Sequence, residues 1–311
     1  MINKRNFIKA SLFFTIIGIS SFKNLLSESN SDFSKSKINK KIIAKTGQKV
    51  PSVGMGTWLT FDVGHNTKKI LKRTEVLKKF FEYGGELIDS SPMYGTSERV
   101  IGKCLEKINM PYKLFSATKV WTPNTWHGKQ QIKNSFNLWK VNKFDLIQVH
   151  NLVNYEDHLE NLYELKRNKD IDYVGITTSH GWRHEKTIDI MKRYDLDFVQ
   201  FTYNILDDEA EKYLLDLAFE KNISVIANRP FKGGNLFNYT SNKKLPSWAK
   251  EEGINNWACF FLKFITSHPS ITCAIPATTN VIHMEENMKS MYGFIPDKKF
   301  RKKMKSYFKE L

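Results

Sequence analysis

Cysteine is scarce in this sequence, with three residues in a chain of 311. The number is odd, there is no CxxC pair, and each cysteine lies in an apolar helix or strand pattern, at Cys104, Cys259 and Cys273. This excludes a disulfide framework as the main source of stability. It predicts buried thiols with a structural role.

The sequence also lacks an apolar run long enough to span a bilayer comfortably. Its N-terminus has a basic start, with Lys4, Arg5 and Lys9, and then about ten mostly apolar residues from Leu12 onward. Residues 1–22 are therefore predicted to be a signal peptide or an uncleaved N-terminal anchor. Residues 23–41, rich in Ser, are predicted to be a polar linker to a domain spanning 42–311.

The order KRNFIK at residues 4–9 resembles the twin-arginine export consensus, with Lys in place of the first Arg. This departure leaves the Sec route open, and no A-x-A cleavage site follows. We expect export machinery to recognise this leader. The expected location is periplasmic or otherwise extracytoplasmic, with anchoring by an uncleaved signal as the alternative.

Acidic residues are outnumbered, with 32 Asp and Glu against 48 Lys and Arg, for a net charge of +16. The basic residues are scattered as singles and pairs, which favours a solvated Lys-rich surface. Attraction to anionic substrates, cofactor phosphates or membrane is the second interpretation. No motif supports a nucleic-acid partner.

A phosphate-binding GxGxxG motif is missing after the first predicted strand, which argues against a doubly wound sheet. Eight short strands alternate with helical periods, and this predicts an α/β fold of the (β/α)8 TIM barrel type. The predicted strands are 52–58, 86–89, 113–119, 145–150, 172–177, 197–201, 224–228 and 271–276. The predicted helices are 67–83, 96–107, 156–167, 182–193, 207–222, 247–267 and 281–291, with one more in the C-terminal tail.

The helix predicted over 207–222 has the clearest periodicity. An N-cap at Asp207 or Asp208 precedes a face of apolar side chains. That face comprises Ala210, Tyr213, Leu214, Leu217 and Ala218.

Reactive side chains stand at the ends of three consecutive predicted strands. Asp89 ends the second strand and leads to Tyr94, Lys119 ends the third, and His150 ends the fourth. Since consecutive strands are neighbours in a barrel, these four groups are predicted to share one pocket. Taken singly, each has an ordinary structural interpretation as a cap, a core aromatic, a surface charge or a satisfied histidine.

Tyr94 is the candidate general acid of this group. A lysine ammonium about 4 Å from a phenol contributes roughly 4 kcal/mol at an effective dielectric of about 20. Lys119 is therefore expected to lower the pKa of Tyr94 toward neutrality, against the effect of desolvation. Asp89 would keep Lys119 charged, and His150 would donate a hydrogen bond to a substrate carbonyl or share the proton transfer.

Six motifs in order resemble those of the aldo/keto reductases, over about residues 45–292. They are GQKVPSVGMGTW, LIDSSPMYGTSERVIG, SATKVW, IQVH, VGITTS and IPATTNVIHMEENM. The resemblance implies a (β/α)8 barrel that binds a nicotinamide cofactor without a Rossmann fold. It also implies that Asp89, Tyr94, Lys119 and His150 are catalytic and that Tyr94 protonates the carbonyl oxygen.

The same resemblance implies cofactor-binding positions. Thr177 and Thr178 replace the usual Ser-Asn pair at the carboxamide, and Asn228 and Arg229 replace an aromatic that often stacks on the nicotinamide. Arg229 is expected at the pyrophosphate. The full implied set is Gly56, Thr57, Trp58, Thr177, Thr178, Gln200, Arg229, Phe231, Gly233, Thr278, Thr279, Asn280, His283, Glu286 and Asn287.

The segment after the last strand bears on cofactor preference. Thr278, Thr279 and Asn280 precede a helix start suited to an anion, and Glu286 with Asn287 matches the adenine-binding pair. Ala277 and His283 stand where many members carry Lys and Arg for the 2′-phosphate. NADP is the expected cofactor, with NAD as the alternative.

Two further patterns have weaker interpretations. His180 and His184 have the i, i+4 spacing of a metal pair on a helix, but no third ligand accompanies them, and no metal site is predicted. Trp121, Trp126 and His127 lie in the predicted loop after the third strand, where they either line the substrate pocket or pack against the barrel.

The sequence as a whole predicts an exported NAD(P)H-dependent reductase of small aldehydes or ketones, acting as a monomer or weak oligomer. The alternative is a barrel that binds cofactor as a redox sensor and turns over little or not at all. The replacement of the stacking aromatic by Asn228 and Arg229 motivates this alternative.

Overall fold

The computed structural model describes residues 37–311, and the predicted signal and most of the predicted linker lie outside the described residues. Asn39–Leu311 forms one compact unit. Its strands, in chain order, are β1 Lys40–Ile42, β2 Lys49–Pro51, β3 Met55–Gly56, β4 Leu87–Asp89, β5 Phe115–Val120, β6 Phe144–His150, β7 Ile171–Thr177, β8 Phe198–Thr202, β9 Ser224–Asn228 and β10 Cys273–Ala274. Its α-helices are α1 Thr67–Glu82, α2 Ser97–Leu105, α3 Thr125–Trp139, α4 Tyr155–Arg167, α5 His184–Arg193, α6 Leu214–Glu220, α7 Asn235–Thr240, α8 Ser247–Glu251, α9 Trp257–Thr266, α10 Val281–Lys289 and α11 Lys298–Lys309.

Strands β3 to β10 form a parallel sheet in which neighbours in sequence are neighbours in space. A parallel bridge between Val53 and Ala274 joins its two edges. Helices lie between successive strands, and the fold is the predicted (β/α)8 barrel. All eight predicted strands are present, with ends shifted by a few residues.

A glycine makes barrel closure possible. The Gly54 amide donates to the carbonyl of Ala274 at 2.8 Å. A Cβ on Gly54 would lie 2.7 Å from the carbonyl oxygen of Leu87 and 3.1 Å from Cys273 Sγ. Any larger residue would therefore push this segment away from its two neighbouring strands, β4 and β10.

An antiparallel hairpin of β1 and β2 precedes the barrel. Its residues Ile43 and Val50 are fully buried in one cluster with residues near the starts of barrel strands, including Leu87, Phe115 and Phe198. The hairpin therefore covers the N-terminal end of the barrel. It begins two residues before the domain boundary expected from the sequence.

Several helix predictions needed correction. The predicted helix 207–222 is a 3₁₀ turn, Glu209–Lys212, followed by α6, because Tyr213 has non-helical backbone angles of φ −158° and ψ −41°. Tyr213 is 47% exposed and does not join the buried face, and the side chain of Asp208 makes no capping bond. The predicted helix 247–267 is divided into α8 and α9, since Gly253 has φ 73° and the side chain of Asn256 caps a new start.

Helix α3 was not predicted: residues 121–127 were interpreted as a loop, and no helix was predicted between the third and fourth strands. It begins after Asn124, whose side chain accepts from the His127 amide at 2.9 Å. The C-terminal tail forms the predicted helix as α11, with Met304 and Phe308 buried. The three cysteines are free and buried, as predicted. No helix within residues 37–311 combines the length and apolarity needed to cross a membrane.

Candidate active site

A cavity of about 400 Å³ lies at the carboxyl ends of the barrel strands. Three of the four predicted catalytic residues, Asp89, Tyr94 and His150, line it. Eight of the predicted cofactor residues also line it: Gly56, Thr57, Trp58, Thr177, Gln200, Arg229, Phe231 and Gly233. The wall also contains large apolar side chains that the sequence analysis did not single out: Leu59, Met93, Phe237 and Ile275.

Lys119 and Asp89 form a buried ion pair beneath this cavity. Lys119 Nζ lies 2.6 Å from Asp89 Oδ2 and donates to the carbonyl of Ser90 at 2.7 Å. Both side chains are at most 3% exposed. Burial lowers the pKa of Lys119, while the charge of Asp89 opposes this effect. The pKa of Lys119 thus reflects two opposing effects, burial and the charge of its partner. Asp89 ends β4 and Lys119 lies near the end of β5, so these two strands position the pair.

The second carboxylate oxygen of Asp89 accepts two side-chain amides. Gln200 Nε2 donates to Oδ1 at 3.1 Å and Gln148 Nε2 donates at 3.3 Å. The side-chain oxygen of Gln200, Oε1, in turn accepts a hydrogen bond from the hydroxyl of Thr177 at 2.9 Å. Residues from β4, β6, β7 and β8 therefore fix the position of the Asp89 carboxylate across the barrel interior.

Tyr94 lies between the ion pair and His150. Lys119 Nζ is 5.2 Å from the centroid of the Tyr94 ring. The rings of Tyr94 and His150 meet edge to face, with centroids 5.8 Å apart. The structure thus brings together the four residues predicted from the strand ends.

The expectation that Lys119 lowers the pKa of Tyr94 was wrong in this structure. Burial of the phenol raises the pKa well above its usual value, and the negative charge of Asp89 raises it further. Because Lys119 is already paired with Asp89, its charge does not offset these two effects on the pKa. Tyr94 is therefore a neutral phenol with its proton in place at neutral pH.

His150 is neutral for a similar reason. Burial and the charge of Lys119 lower the pKa of His150 to about 3. Its Nδ1 lies 3.0 Å from the hydroxyl oxygen of Ser91, which is buried. The imidazole thus offers a hydrogen-bonding group without a charge at neutral pH.

The end of β9 carries Asn228 and Arg229, the two residues that the sequence analysis placed where a stacking aromatic is often found. Asn228 Nδ2 donates to the carbonyl of Thr178 at 2.8 Å, and its Oδ1 accepts from Thr202 at 2.8 Å. The Arg229 guanidinium lies 5.9 Å from the centroid of the Trp58 ring and makes no ion pair with a carboxylate of residues 37–311. Asn228 is thus a structural tie between strands, while Arg229 offers a free positive charge at the cavity wall.

The remaining predicted cofactor residues do not line this cavity. Thr178 is buried beside it at the end of β7, with its carbonyl bound to Asn228. The other six lie at the loop before α10 and along that helix: Thr278, Thr279, Asn280, His283, Glu286 and Asn287. The Asn280 side chain caps α10 through the Ile282 amide at 2.8 Å, and Asn287 is buried.

The two weaker patterns have different outcomes. Trp121, Trp126 and His127 are absent from the cavity wall, and the last two belong to α3 because Asn124 starts that helix. His180 lies in the loop before α5 and lines the cavity, whereas His184 is the first residue of α5, so the two do not share a helix face. Within residues 37–311 no group of three or more His, Cys, Asp or Glu side chains is arranged to hold a metal ion.

Two polar residues that contact the predicted catalytic groups, Gln148 and Ser91, were also missed by the sequence analysis. Gln148 precedes His150 by two positions in β6, so strand alternation places both on the barrel interior, and this signal was available. Ser91 stands inside the motif that carries Asp89 and Tyr94, but nothing in its spacing indicates a contact with His150.

Comparisons with known proteins agree with this geometry. The model of the Aldo/keto reductase family matches residues 52–305. An uncharacterised oxidoreductase of Schizosaccharomyces pombe is 28% identical over 235 residues, covering 69% of this chain and 72% of the relative. An uncharacterised oxidoreductase of Bacillus subtilis, YrpG, is 24% identical over 221 residues, covering 62% of this chain and 67% of the relative.

Solved structures share the fold at lower identity. An aldo/keto reductase from Klebsiella pneumoniae, in complex with NADP and acetate, superposes with a TM-score of 0.74 at 17% identity, covering 87% of this chain and 96% of that one. The holo form of an aldo-keto reductase from Bacillus halodurans gives a TM-score of 0.71 at 19% identity, covering 88% of this chain and 96% of that one.

Proposed function

This chain belongs to the aldo/keto reductase family, and we propose that it reduces aldehydes or ketones to alcohols with NAD(P)H, using Tyr94 as the general acid. The observation that carries the proposal is the placement of Tyr94 at one cavity wall between a buried Lys119–Asp89 pair and a neutral His150. Side chains at three adjacent strand ends converge there, as a proton donor and its supporting groups require.

The proton transfer follows from the protonation states of these groups. With its raised pKa, Tyr94 holds its proton until a substrate oxygen gains negative charge. An alkoxide is a stronger base than a phenolate, so the transfer becomes favourable at that moment. The Lys119 ammonium, 5.2 Å from the ring, then stabilises the phenolate left behind. Neutral His150 offers a hydrogen bond to the same oxygen.

The donor groups on the cavity wall fit a nicotinamide cofactor. Bound there, the reduced nicotinamide would supply hydride to the carbonyl carbon. Thr177 and Gln200 provide hydroxyl and amide groups at the ends of β7 and β8. Arg229, which forms no ion pair with a carboxylate of residues 37–311, suits a pyrophosphate, and the neighbouring Gly233 and Gly234 have positive φ and no side chain.

We propose NADP as the preferred cofactor, with NAD as the alternative. The Klebsiella pneumoniae structure that shares this fold was solved with NADP. The absence of Lys and Arg at Ala277 and His283 argues in the other direction. A fluorescence titration with NADPH and NADH separates the two. Tighter binding of NADPH supports NADP, and equal or tighter binding of NADH contradicts that preference.

Turnover is tested by following NADPH oxidation with a panel of aldehydes and ketones and the purified chain. Reduction of at least one carbonyl class at a saturable rate is the expected result. Tight cofactor binding with no turnover on any substrate would overturn the reductase proposal and support the cofactor-binding sensor. Asn228 is relevant to that alternative because it ties β7 to β9 where a stacking aromatic is usual.

We also propose that the chain is exported through its N-terminal leader and acts outside the cytoplasm. Residues 1–22 carry the basic and apolar segments of a signal, and the KRNFIK order favours the twin-arginine route. That route would carry the barrel already folded with cofactor. A fusion of residues 1–40 to a reporter, expressed in strains that lack either route, tests this. Export that depends only on Sec would contradict delivery of the loaded protein.

A further inference from the structure

Ser91 lies in the loop between β4 and α2 and is fully buried. Its hydroxyl oxygen is 3.0 Å from Nδ1 of His150 and accepts the backbone N–H of Met93 at 3.2 Å. The hydroxyl thus contacts the imidazole at Nδ1, inside the protein. Among residues 37–311, Nε2 of His150 has no hydrogen-bond partner, and the ring lines the cavity.

The count of donors and acceptors around Ser91 decides the direction of this hydrogen bond. The Met93 amide can only donate, so the serine oxygen is its acceptor. The serine proton then needs an acceptor of its own. Among residues 37–311, His150 Nδ1 is the acceptor within reach. If Nδ1 carried the imidazole proton instead, the buried serine hydroxyl would have two donors facing it and no acceptor, which is costly.

We propose that Ser91 is a positioning residue that fixes neutral His150 in the tautomer with its proton on Nε2. The Nε2–H then faces the cavity as a hydrogen-bond donor, while Nδ1 accepts from Ser91. The consequence for catalysis rests on the proposed carbonyl reduction, because a carbonyl oxygen needs a donor and an Nε2 lone pair would repel it.

Because His150 is neutral, its tautomer determines which ring nitrogen can donate a hydrogen bond. Burial and the charge of Lys119 keep the imidazole neutral across the working range of pH. A charged imidazole would donate from both nitrogens and need no such control. A neutral one donates from a single nitrogen, and a residue on the protein side must determine which.

The direct test is a long-range ¹H–¹⁵N NMR spectrum of the ¹⁵N-histidine-labelled protein without cofactor at pH 7. The His150 signals are assigned by their loss in His150→Gln. The chemical shifts of the two ring nitrogens report which one bears the proton. The expected result is an Nε2–H tautomer. An Nδ1–H tautomer in the wild type would overturn the proposal.

Variants then test the role of Ser91. In Ser91→Ala the expected spectrum shows both tautomers in exchange, and Ser91→Thr, which keeps the hydroxyl, is expected to restore the wild-type pattern. Ser52→Ala is the matched control, since Ser52 is also a fully buried serine but its hydroxyl has no hydrogen-bond partner within residues 37–311. A wild-type tautomer in Ser91→Ala would contradict the proposal.

Kinetics give an independent measure. For Ser91→Ala, kcat is expected to fall about 3- to 10-fold, the size of one neutral hydrogen bond, with unchanged NADPH affinity. An unchanged kcat would contradict the catalytic part of the proposal. An inactive wild type would overturn the proposed reductase function. The NMR experiment needs no turnover, so the spectrum tests the tautomer assignment separately.

Discussion

The ion pair of Lys119 and Asp89 is almost entirely removed from water, with side-chain exposures of 0% and 3%. Removing one partner of such a pair leaves an uncompensated buried charge. Lys119→Met is therefore expected to destabilise the fold by about 3–5 kcal/mol. Urea unfolding measures this change. The double variant Lys119→Met/Asp89→Asn is expected to recover part of the loss, and a single variant within about 1 kcal/mol of wild type would contradict the account.

His150 gives a pH-dependent contribution to stability. Its pKa falls from 6.5 to about 3 on folding, so between these values the unfolded chain binds more protons than the folded one. The contribution is complete above about pH 6.5 and is lost as pH falls toward 3, by about 1.4 kcal/mol per pH unit. His150→Gln is expected to remove this slope.

Urea unfolding of wild type and His150→Gln at pH 4, 5, 6 and 7 checks the prediction. His268, whose pKa is lowered to about 4 mainly by burial, remains in both proteins and contributes a similar slope to each. The difference between the two proteins therefore isolates His150. Equal pH dependence in the two would contradict the assignment of a buried neutral imidazole.

The four reactive residues could be predicted from sequence, because Asp89, Lys119 and His150 lie at the ends of apolar strands and Tyr94 lies in the short loop that follows Asp89. The pKa of Tyr94 could not. The Lys119–Asp89 pair and an opposing effect of desolvation were both expected from the sequence, but only the three-dimensional arrangement shows that burial of the phenol is the larger effect. The size of the desolvation effect cannot be read from the order of charges along the chain, and here desolvation determines whether the pKa of Tyr94 rises or falls.

Helix packing beside the site depends on a second glycine. A Cβ on Gly102 in α2 would lie 2.0 Å from the carbonyl oxygen of Leu138 in α3. Because the obstacle is backbone, no rotamer change can relieve it. Gly102→Ala is expected to destabilise the protein by about 1–3 kcal/mol in urea unfolding. Lys103→Ala, the neighbouring position in the same helix, is expected to stay within about 0.5 kcal/mol of wild type. Equal stabilities for the two variants would contradict this packing.

The same interface explains why α3 was missed. Its buried residues are Gly128, Ile132, Ser135 and Trp139, which have helical spacing. Two of the four are not apolar side chains, so the pattern is weak when only hydrophobic residues are counted. The small residues allow close approach instead: a Cβ on Gly128 would lie 2.4 Å from the ring of His158 in α4. Close packing by small residues has little signature in hydrophobic periodicity.

Buried polar contacts also connect the elements around the site. Glu98 in the first turn of α2 accepts from Thr118 at 2.6 Å, Ser135 at 3.0 Å and Trp139 Nε1 at 3.1 Å. These bonds tie α2 and α3 to β5, the strand that carries Lys119. The first-turn position of Glu98 was predictable from the sequence. Its burial was not, since it depends on the unpredicted helix α3.

The barrel as a whole was predictable, because eight apolar strands separated by helical segments leave few alternatives. The hairpin at its N-terminal end was not, because β1 with Lys40 and Lys41 begins in the predicted polar linker and β2 is only three residues long. Ile43 and Val50 supply the apolar cover at that end. The chemistry therefore lies at the opposite end of the barrel, where the loops after the strands meet.

The central claim is that this barrel transfers a proton from Tyr94 to a substrate oxygen. The most direct measurement compares wild type with Tyr94→Phe, recording NADPH affinity by fluorescence and kcat for the best carbonyl of the panel. The account predicts unchanged affinity and a kcat lower by about 100-fold or more, since a positioned general acid contributes a factor of that order. Full turnover by Tyr94→Phe would contradict it.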